Sequence, residues 1–145
     1  MKFFFLQFVF ICKLSNEKQV LARSIFLDLE PRVLQSIQKG PFRQLFKSEN
    51  YFTGDSGGGA GNVWANGFFS GQQSEEIILE MLQREVESAD SMDGFFLSHS
   101  VAGGTGSGLV YWSLLSKGSK VLEVISSYFA KSAVLANSVF PNHGN

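Results

Sequence analysis

Strand-like runs alternating with helical segments predict an α/β domain whose mainly parallel sheet is flanked by helices. Three observations carry that expectation. An apolar run, Phe95 to Leu97, empties into a glycine loop, Ala102-Gly103-Gly104-Thr105-Gly106-Ser107-Gly108, and an apolar helical segment follows from Leu109 to Leu115. An earlier strand-like run, Ser24 to Asp28, leads into a segment bounded like a helix. Between the two lies a long amphipathic stretch with apolar residues at helical spacing.

Taken in order, the chain starts ambiguously. Met1-Lys2 and the apolar run to Cys12, with Phe3, Phe4, Phe5, Phe8 and Phe10, have the form of the front of a secretory leader. The run is too short to span a bilayer, and Lys13 to Gln19 offers no convincing small-x-small cleavage site. A buried strand and sequence from an alternative start are the competing readings. Ser24-Ile-Phe-Leu-Asp28 reads as a strand, and Pro31 to Lys39 as a helix. Its boundaries are proline at the first position and Gly40-Pro41 just past the end. Val33, Leu34 and Ile37 form its apolar face, and Tyr51 to Thr53 is a further short strand. The amphipathic helix is expected from Ser70 or Ser74 to Ala89, with Ser70 and Gln73 as a capping box. Ile77, Ile78, Met81, Leu82 and Val86 are its apolar stripe, and Glu75, Glu76, Glu80 and Glu85 its solvated face. Past the glycine loop, Val121 to Ile125 suggests a strand, Ser127 to Asn137 a weak helix, and Ser138 to Phe140 a strand.

Strand, glycine loop, helix is an arrangement that presents backbone N–H groups to an anion. Glycines let the chain turn tightly and leave room for a phosphate, while Thr105 and Ser107 add hydroxyls. A turn with no ligand is the competing reading. The loop fits neither GxxxxGK[ST], since no lysine follows, nor GxGxxG, nor GxSxG. A second cluster, Gly57-Gly-Gly-Ala-Gly-Asn62, reads either as a flexible loop or as a second phosphate-facing loop. Ligands of parallel sheets sit beyond the carboxyl ends of the strands. Asp28, Glu30 and both glycine loops fall at such ends.

Composition removes several function classes. The 145 residues allow one ordinary domain. A net charge of −1 gives no electrostatic case for nucleic acid or an acidic membrane surface. Cys12 is the sole cysteine, which rules out an intrachain disulfide framework and a cysteine metal cluster. His99 and His143 are far apart in sequence, and a cytoplasmic location fits best.

Four stretches in order resemble the tubulin family: Asp28-Leu-Glu-Pro-Arg32, Gly57 to Asn62 with Trp64-Ala65, Ala102 to Gly108, and Ser138-Val-Phe-Pro-Asn142. Arg32, the triple glycine before Ala60, and Ala102 are most similar to the gamma-tubulin branch. The resemblance implies an incomplete tubulin-type nucleotide-binding domain that takes GTP or GDP with Mg2+. It implies tubulin subunits and nucleating-complex proteins as partners, and microtubule nucleation at an organising centre of the cytoskeleton. Carried over by position, Ala102, Gly103, Gly104, Thr105, Gly106, Ser107 and Gly108 would wrap the phosphates. Ser100 would support the nucleotide from the strand end, and Ala60, Gly61 and Asn62 would close over the terminal phosphates. Asp28 and Glu30 would face the magnesium ion and its waters, as hard carboxylate oxygens suit. An anion pair at a helix N-terminus is the competing account of those two.

The departures define the domain reading: residues 1–22 as a divergent apolar N-terminus, and residues 23–145 as a partial GTP-binding domain with a divergent segment at 110–137. Val63 stands where the family has a second Asn. The family's opening strand and nucleotide loop, its ribose- and guanine-contacting parts and its second domain find no match. Hydrolysis in the family draws on an acidic loop of that second domain from a neighbouring subunit, so GTPase activity is not expected of this chain alone. A truncated or mis-joined fragment without autonomous nucleotide binding or assembly activity is the alternative.

Overall fold

Strand β2, Ser24–Asp28, is buried along its whole length and sets up the sheet in the computed structural model, which describes residues 6–12, 21–54, 57–89, 92–109 and 133–141. Its side chains alternate as a strand requires. Ile25 and Leu27 enter the main core, whereas Phe26 stacks on Tyr51 at 5.0 Å and meets Phe46 edge-on at 4.9 Å. The other strands are β1 (Leu6–Cys12), β3 (Tyr51–Thr53), β4 (Met92–Ser100) and β5 (Ala133–Val139). They form one sheet in the order β3-β2-β1-β4-β5.

Four of the five described strands run the same way, as the alternating pattern predicts. β2 pairs parallel with β3, and β4 parallel with β5. The central strand, β1, is antiparallel to both neighbours, with Leu6 opposite Leu27 and Gln7 opposite Ser98. Of the readings open for the apolar N-terminus, the strand is the one its backbone adopts. β1 and β2 neighbour one another in sequence, so a short return is enough to pair them antiparallel.

Helix α1, Pro31–Lys39, has the limits its proline and glycine predict, and the Gly40 N–H donates to the Ile37 carbonyl at 3.0 Å. A helix not expected from the sequence, α2 (Trp64–Gln73), precedes the amphipathic one, α3 (Glu75–Glu87), which starts after Ser74, the later of its two expected bounds. Ser70 and Gln73 lie inside α2, so they form no capping box, and α3 has no side-chain cap. Ile78, Met81, Leu82 and Val86 of α3 pack with Ile25, Leu27, Phe95 and Leu97 of the sheet, making the core.

Glu85 is a second correction. It is fully buried, seven residues after Ile78 on the apolar stripe, and not on a solvated face. The Lys47 ammonium lies 2.7 Å from Oε1, the Asn50 amide donates to the same oxygen at 3.0 Å, and Arg23 Nη1 stands 3.5 Å from Oε2. The same Arg23 donates to the carbonyls of Glu85 and Ser88, at 3.1 and 2.6 Å. One carboxylate thus ties α3 to the start of β2 and to the turn before β3. Finally, Ala133 to Asn137 are strand and not helix, because they pair in parallel with Gly94 to Ser98. The strand expected at Val121 to Ile125, the helix expected from Leu109 to Leu115 beyond its first residue, and residues 127–132 of the expected weak helix lie outside the described residues.

Candidate functional site

The carboxyl ends of β2 and β4 and the loop after β3 meet around a cavity of about 410 Å³. Its walls are Asp28, Glu30, Val33, Gly58 to Asn62, and Gly103 to Thr105. Both glycine loops and both carboxylates named from sequence therefore converge.

The Gly57–Asn62 loop owes its shape to backbone that only glycine or asparagine takes without strain. Gly57, Gly59, Gly61 and Asn62 all have positive φ, from 58 to 66°. Residues of opposite handedness in succession turn their N–H groups toward a common point, a concavity suited to an anion. The Val63 N–H and the Asn66 side chain both donate to the Ala60 carbonyl, at 3.0 and 3.2 Å, and anchor the loop to the first turn of α2.

The second wall begins where β4 ends. The Ser100 hydroxyl accepts the Ala102 N–H at 3.1 Å, turning the chain, and Gly103 follows at φ 93°. Thr105–Leu109 then form a single π-type turn. His99 braces this turn from behind. Its Nδ1–H donates to the Gly106 carbonyl at 3.1 Å, and Nε2 is hydrogen-bonded with the Ser138 hydroxyl at 2.8 Å.

The glycines of this loop divide by role. Gly103, Gly104 and Thr105 line the cavity. Gly106 and Gly108 do not: a Cβ on Gly106 would stand 2.4 Å from the Ser100 carbonyl oxygen, and one on Gly108 would stand 2.2 Å from that of Trp64. Their lack of a side chain serves packing. Ser107 is turned back on its own chain, its hydroxyl donating to the Gly103 carbonyl. Ala102 and Ser100 also stand outside the cavity wall. Val33, Gly58 and Gly59 also belong to the wall, although the residues carried over as phosphate contacts in the Gly57–Asn62 loop were only Ala60, Gly61 and Asn62. Gly58 and Gly59 share the glycine run that flagged Ala60 to Asn62, whereas nothing about Val33 distinguished it from the rest of its helix face.

Asp28 is almost completely buried at the end of β2. Burial pushes its carboxyl pKa up; the Glu30 N–H, at 3.2 Å, and the Thr105 hydroxyl oppose that rise by hydrogen bonding. The nearby Glu30 carboxylate raises it further. Glu30 occupies the N-cap position of α1 without capping it, and pairs instead with the exposed Arg32. Its place at the N-terminus of α1 is also where the helix dipole favours an anion. Among the described residues lining the cavity none is a lysine, arginine or histidine, and the charged ones are Asp28 and Glu30. Among the described residues no cluster of three or more His, Cys, Asp or Glu could hold a metal by itself. None of their helices is long and apolar enough to cross a membrane.

The sequence matches the profile of the Tubulin/FtsZ family, GTPase domain, over residues 1–145. The sheet with glycine loops at its carboxyl edge agrees with that match, and the chain belongs to the Tubulin/FtsZ family as a GTP-binding domain of its cytoskeletal proteins.

Proposed function

We propose that the cavity between the two glycine loops binds the phosphates of GTP or GDP together with a magnesium ion. The observation that carries this is the convergence of both glycine loops with Asp28 and Glu30 on one hollow, whose described lining includes no cationic side chain. A free polyphosphate would be repelled by Asp28 and Glu30, and a free cation would find only two acidic ligands. The magnesium complex satisfies both halves, since Mg2+ is held by one or two carboxylates plus substrate phosphates and waters. Asp28 fits such an ion on its own evidence, because a carboxylate disfavoured by burial gains most from an adjacent positive charge. Glu30 would share the ion or its waters. Gly103, Gly104 and Thr105 would hold phosphate from one side and Ala60, Gly61 and Asn62 from the other. Ser100, Ala102, Gly106, Ser107 and Gly108 would act by shaping the loop. The ion, when bound, neutralises phosphate charge; the loops orient the phosphates and exclude water.

The biological assignment extends this reading. Similarity of Arg32, Gly57 to Gly59 and Ala102 to the gamma branch supports a role in microtubule nucleation at organising centres, with tubulin subunits and nucleating-complex proteins as partners. A second reading, a family fragment that binds no nucleotide by itself, is favoured by one observation. Leu135, Val139 and Phe140 are exposed at the β5 edge, whereas parallel strands are ordinarily covered.

Calorimetric titration of the whole chain with GTP, with and without Mg2+, separates the two readings, with circular dichroism confirming a folded sample. Magnesium-dependent binding, weakened by Gly104→Val or Thr105→Ala, is the expected result. A folded chain that takes up no heat with GTP and Mg2+ rejects the nucleotide site.

A further inference from the structure

Gly67 lies in the middle of α2, outside the cavity wall, where a glycine disfavours a helix by about 1 kcal/mol relative to alanine. Its packing supplies the reason. A Cβ at Gly67 would stand 1.9 Å from the Gly104 carbonyl oxygen, 2.6 Å from the Gly104 carbonyl carbon and 3.3 Å from the Gly108 Cα. These are backbone atoms, so no side-chain rotation relieves the clash. Gly104 is confined elsewhere too: a Cβ placed on it would stand 2.3 Å from the Ala60 methyl and 2.5 Å from the Val63 carbonyl oxygen. The loop after β4 is thus laid directly on α2 and against the other glycine loop. One residue earlier on the same helix, the Asn66 amide holds the Ala60 carbonyl at 3.2 Å.

We infer that α2, through Asn66 and Gly67, is the spacer that fixes the distance between the two phosphate-facing loops. Gly67 and Asn66 are positioning residues: neither reaches the cavity, and each acts through a residue that lines it, Gly104 and Ala60 respectively. This inference rests on the nucleotide site proposed above. It adds that the site's geometry is set from a helix surface remote from the ligand. A methyl group at Gly67 forces the Gly104–Thr105 peptide to move, and displacements near 1 Å are enough to cost large factors in a preorganised site.

The test uses the full chain and two readouts. In 1H–15N correlation spectra without nucleotide, Gly67→Ala is expected to shift the amides of Gly103, Gly104 and Thr105 and also those of Ala60 to Asn62. Asn66→Ala is expected to shift the second set first. In titrations, Gly67→Ala is expected to weaken Mg2+–GTP and Mg2+–GDP by about tenfold or more, while leaving guanosine unchanged. Leu82→Ala, which destabilises the core away from both loops, is expected to leave nucleotide affinity of the folded protein unaltered. Amide shifts confined to α2 overturn the spacer role whether or not nucleotide binds. So does a nucleotide loss in Leu82→Ala matching that of Gly67→Ala, or an equal loss for guanosine. A folded wild type that binds no nucleotide instead defeats the site reading, and the spectra still decide on the spacer.

Discussion

Replacing Glu85 by alanine removes the one carboxylate that Lys47, Asn50 and Arg23 share, and the structure bounds the cost. Breaking a buried ion pair from one side costs about 3–5 kcal/mol, because the remaining charge loses its compensation. Here the survivors are better placed than in a sealed pair. Lys47 and Arg23 keep 25% and 16% side-chain exposure, and Arg23 retains its bonds to the Glu85 and Ser88 carbonyls. Asn50 keeps the Ser24 carbonyl as acceptor at 3.1 Å. The expected loss is therefore at the low end, about 3 kcal/mol, or about 6–12 °C in Tm for a domain of this size. Glu85→Gln keeps an acceptor for Lys47 and Asn50 and costs less, about 1–2 kcal/mol. Lys47→Met strands the carboxylate inside and costs at least as much as Glu85→Ala. The double variant Glu85→Leu/Lys47→Met recovers part of the loss, since apolar replacement of a buried pair is often tolerated. Urea unfolding measures all four, read as midpoint shifts at constant slope. If Glu85→Ala lost under about 1 kcal/mol with an unchanged slope, Glu85 would be behaving as a solvated residue and the burial argument would fail.

Asp28→Asn is expected to remove magnesium dependence of GTP binding while raising thermal stability of the unliganded chain at neutral pH. The sign follows from its raised pKa. The folded state holds the proton more tightly than the unfolded chain, so Asp28's contribution is most favourable at low pH. It is lost as pH climbs from the unfolded value, near 3.8, through the folded one; the stability gain of Asp28→Asn should shrink as pH falls through that window in melting curves. Asn62, at φ 61°, is expected to tolerate glycine, whereas Asn62→Val costs about 1–2 kcal/mol by denaturant unfolding. Equal stability of the two variants would show that the left-handed turn is not retained in solution.

Much of this fold was legible because local signals and tertiary packing agree. Ser24 to Asp28 is apolar enough to read as strand, and Pro31, Gly40 and Pro41 bracket α1 unambiguously. The convergence of Asp28, Glu30 and the two loops followed from one rule about strand ends. What was missed depended on contacts distant in sequence. α2 was hidden because Gly67 and Gly71 weaken helix propensity, and Gly67 becomes favourable only once the Gly104 backbone lies on it. Glu85 was read by its charge although its spacing from Ile78 put it on the buried stripe; its cations come from Arg23 and Lys47, far away in the chain. Residues 133–137 lack strong strand character and acquire it from the β4 ladder. The split of the signature glycines, some facing the cavity and others packing, is a matter of backbone neighbours that spacing does not encode.

The direction of β1 bears on how the site is framed. Because β2, β3 and β4 run parallel, their carboxyl ends share one edge, and Asp28, the Gly57–Asn62 loop and Gly103 to Thr105 follow from those ends. β1 runs the other way, so its own carboxyl end, Cys12, pairs with Met92 at the opposite edge. What β1 contributes at the site edge is width. It stands between β2 and β4, and two inter-strand spacings set those strands about 9–10 Å apart. Beyond that gap the walls still meet at one point, where the Thr105 hydroxyl hydrogen-bonds the Asp28 carboxylate. The antiparallel strand thus sets the spacing of β2 and β4 within the sheet, and the Asp28–Thr105 contact closes the hollow beyond their ends.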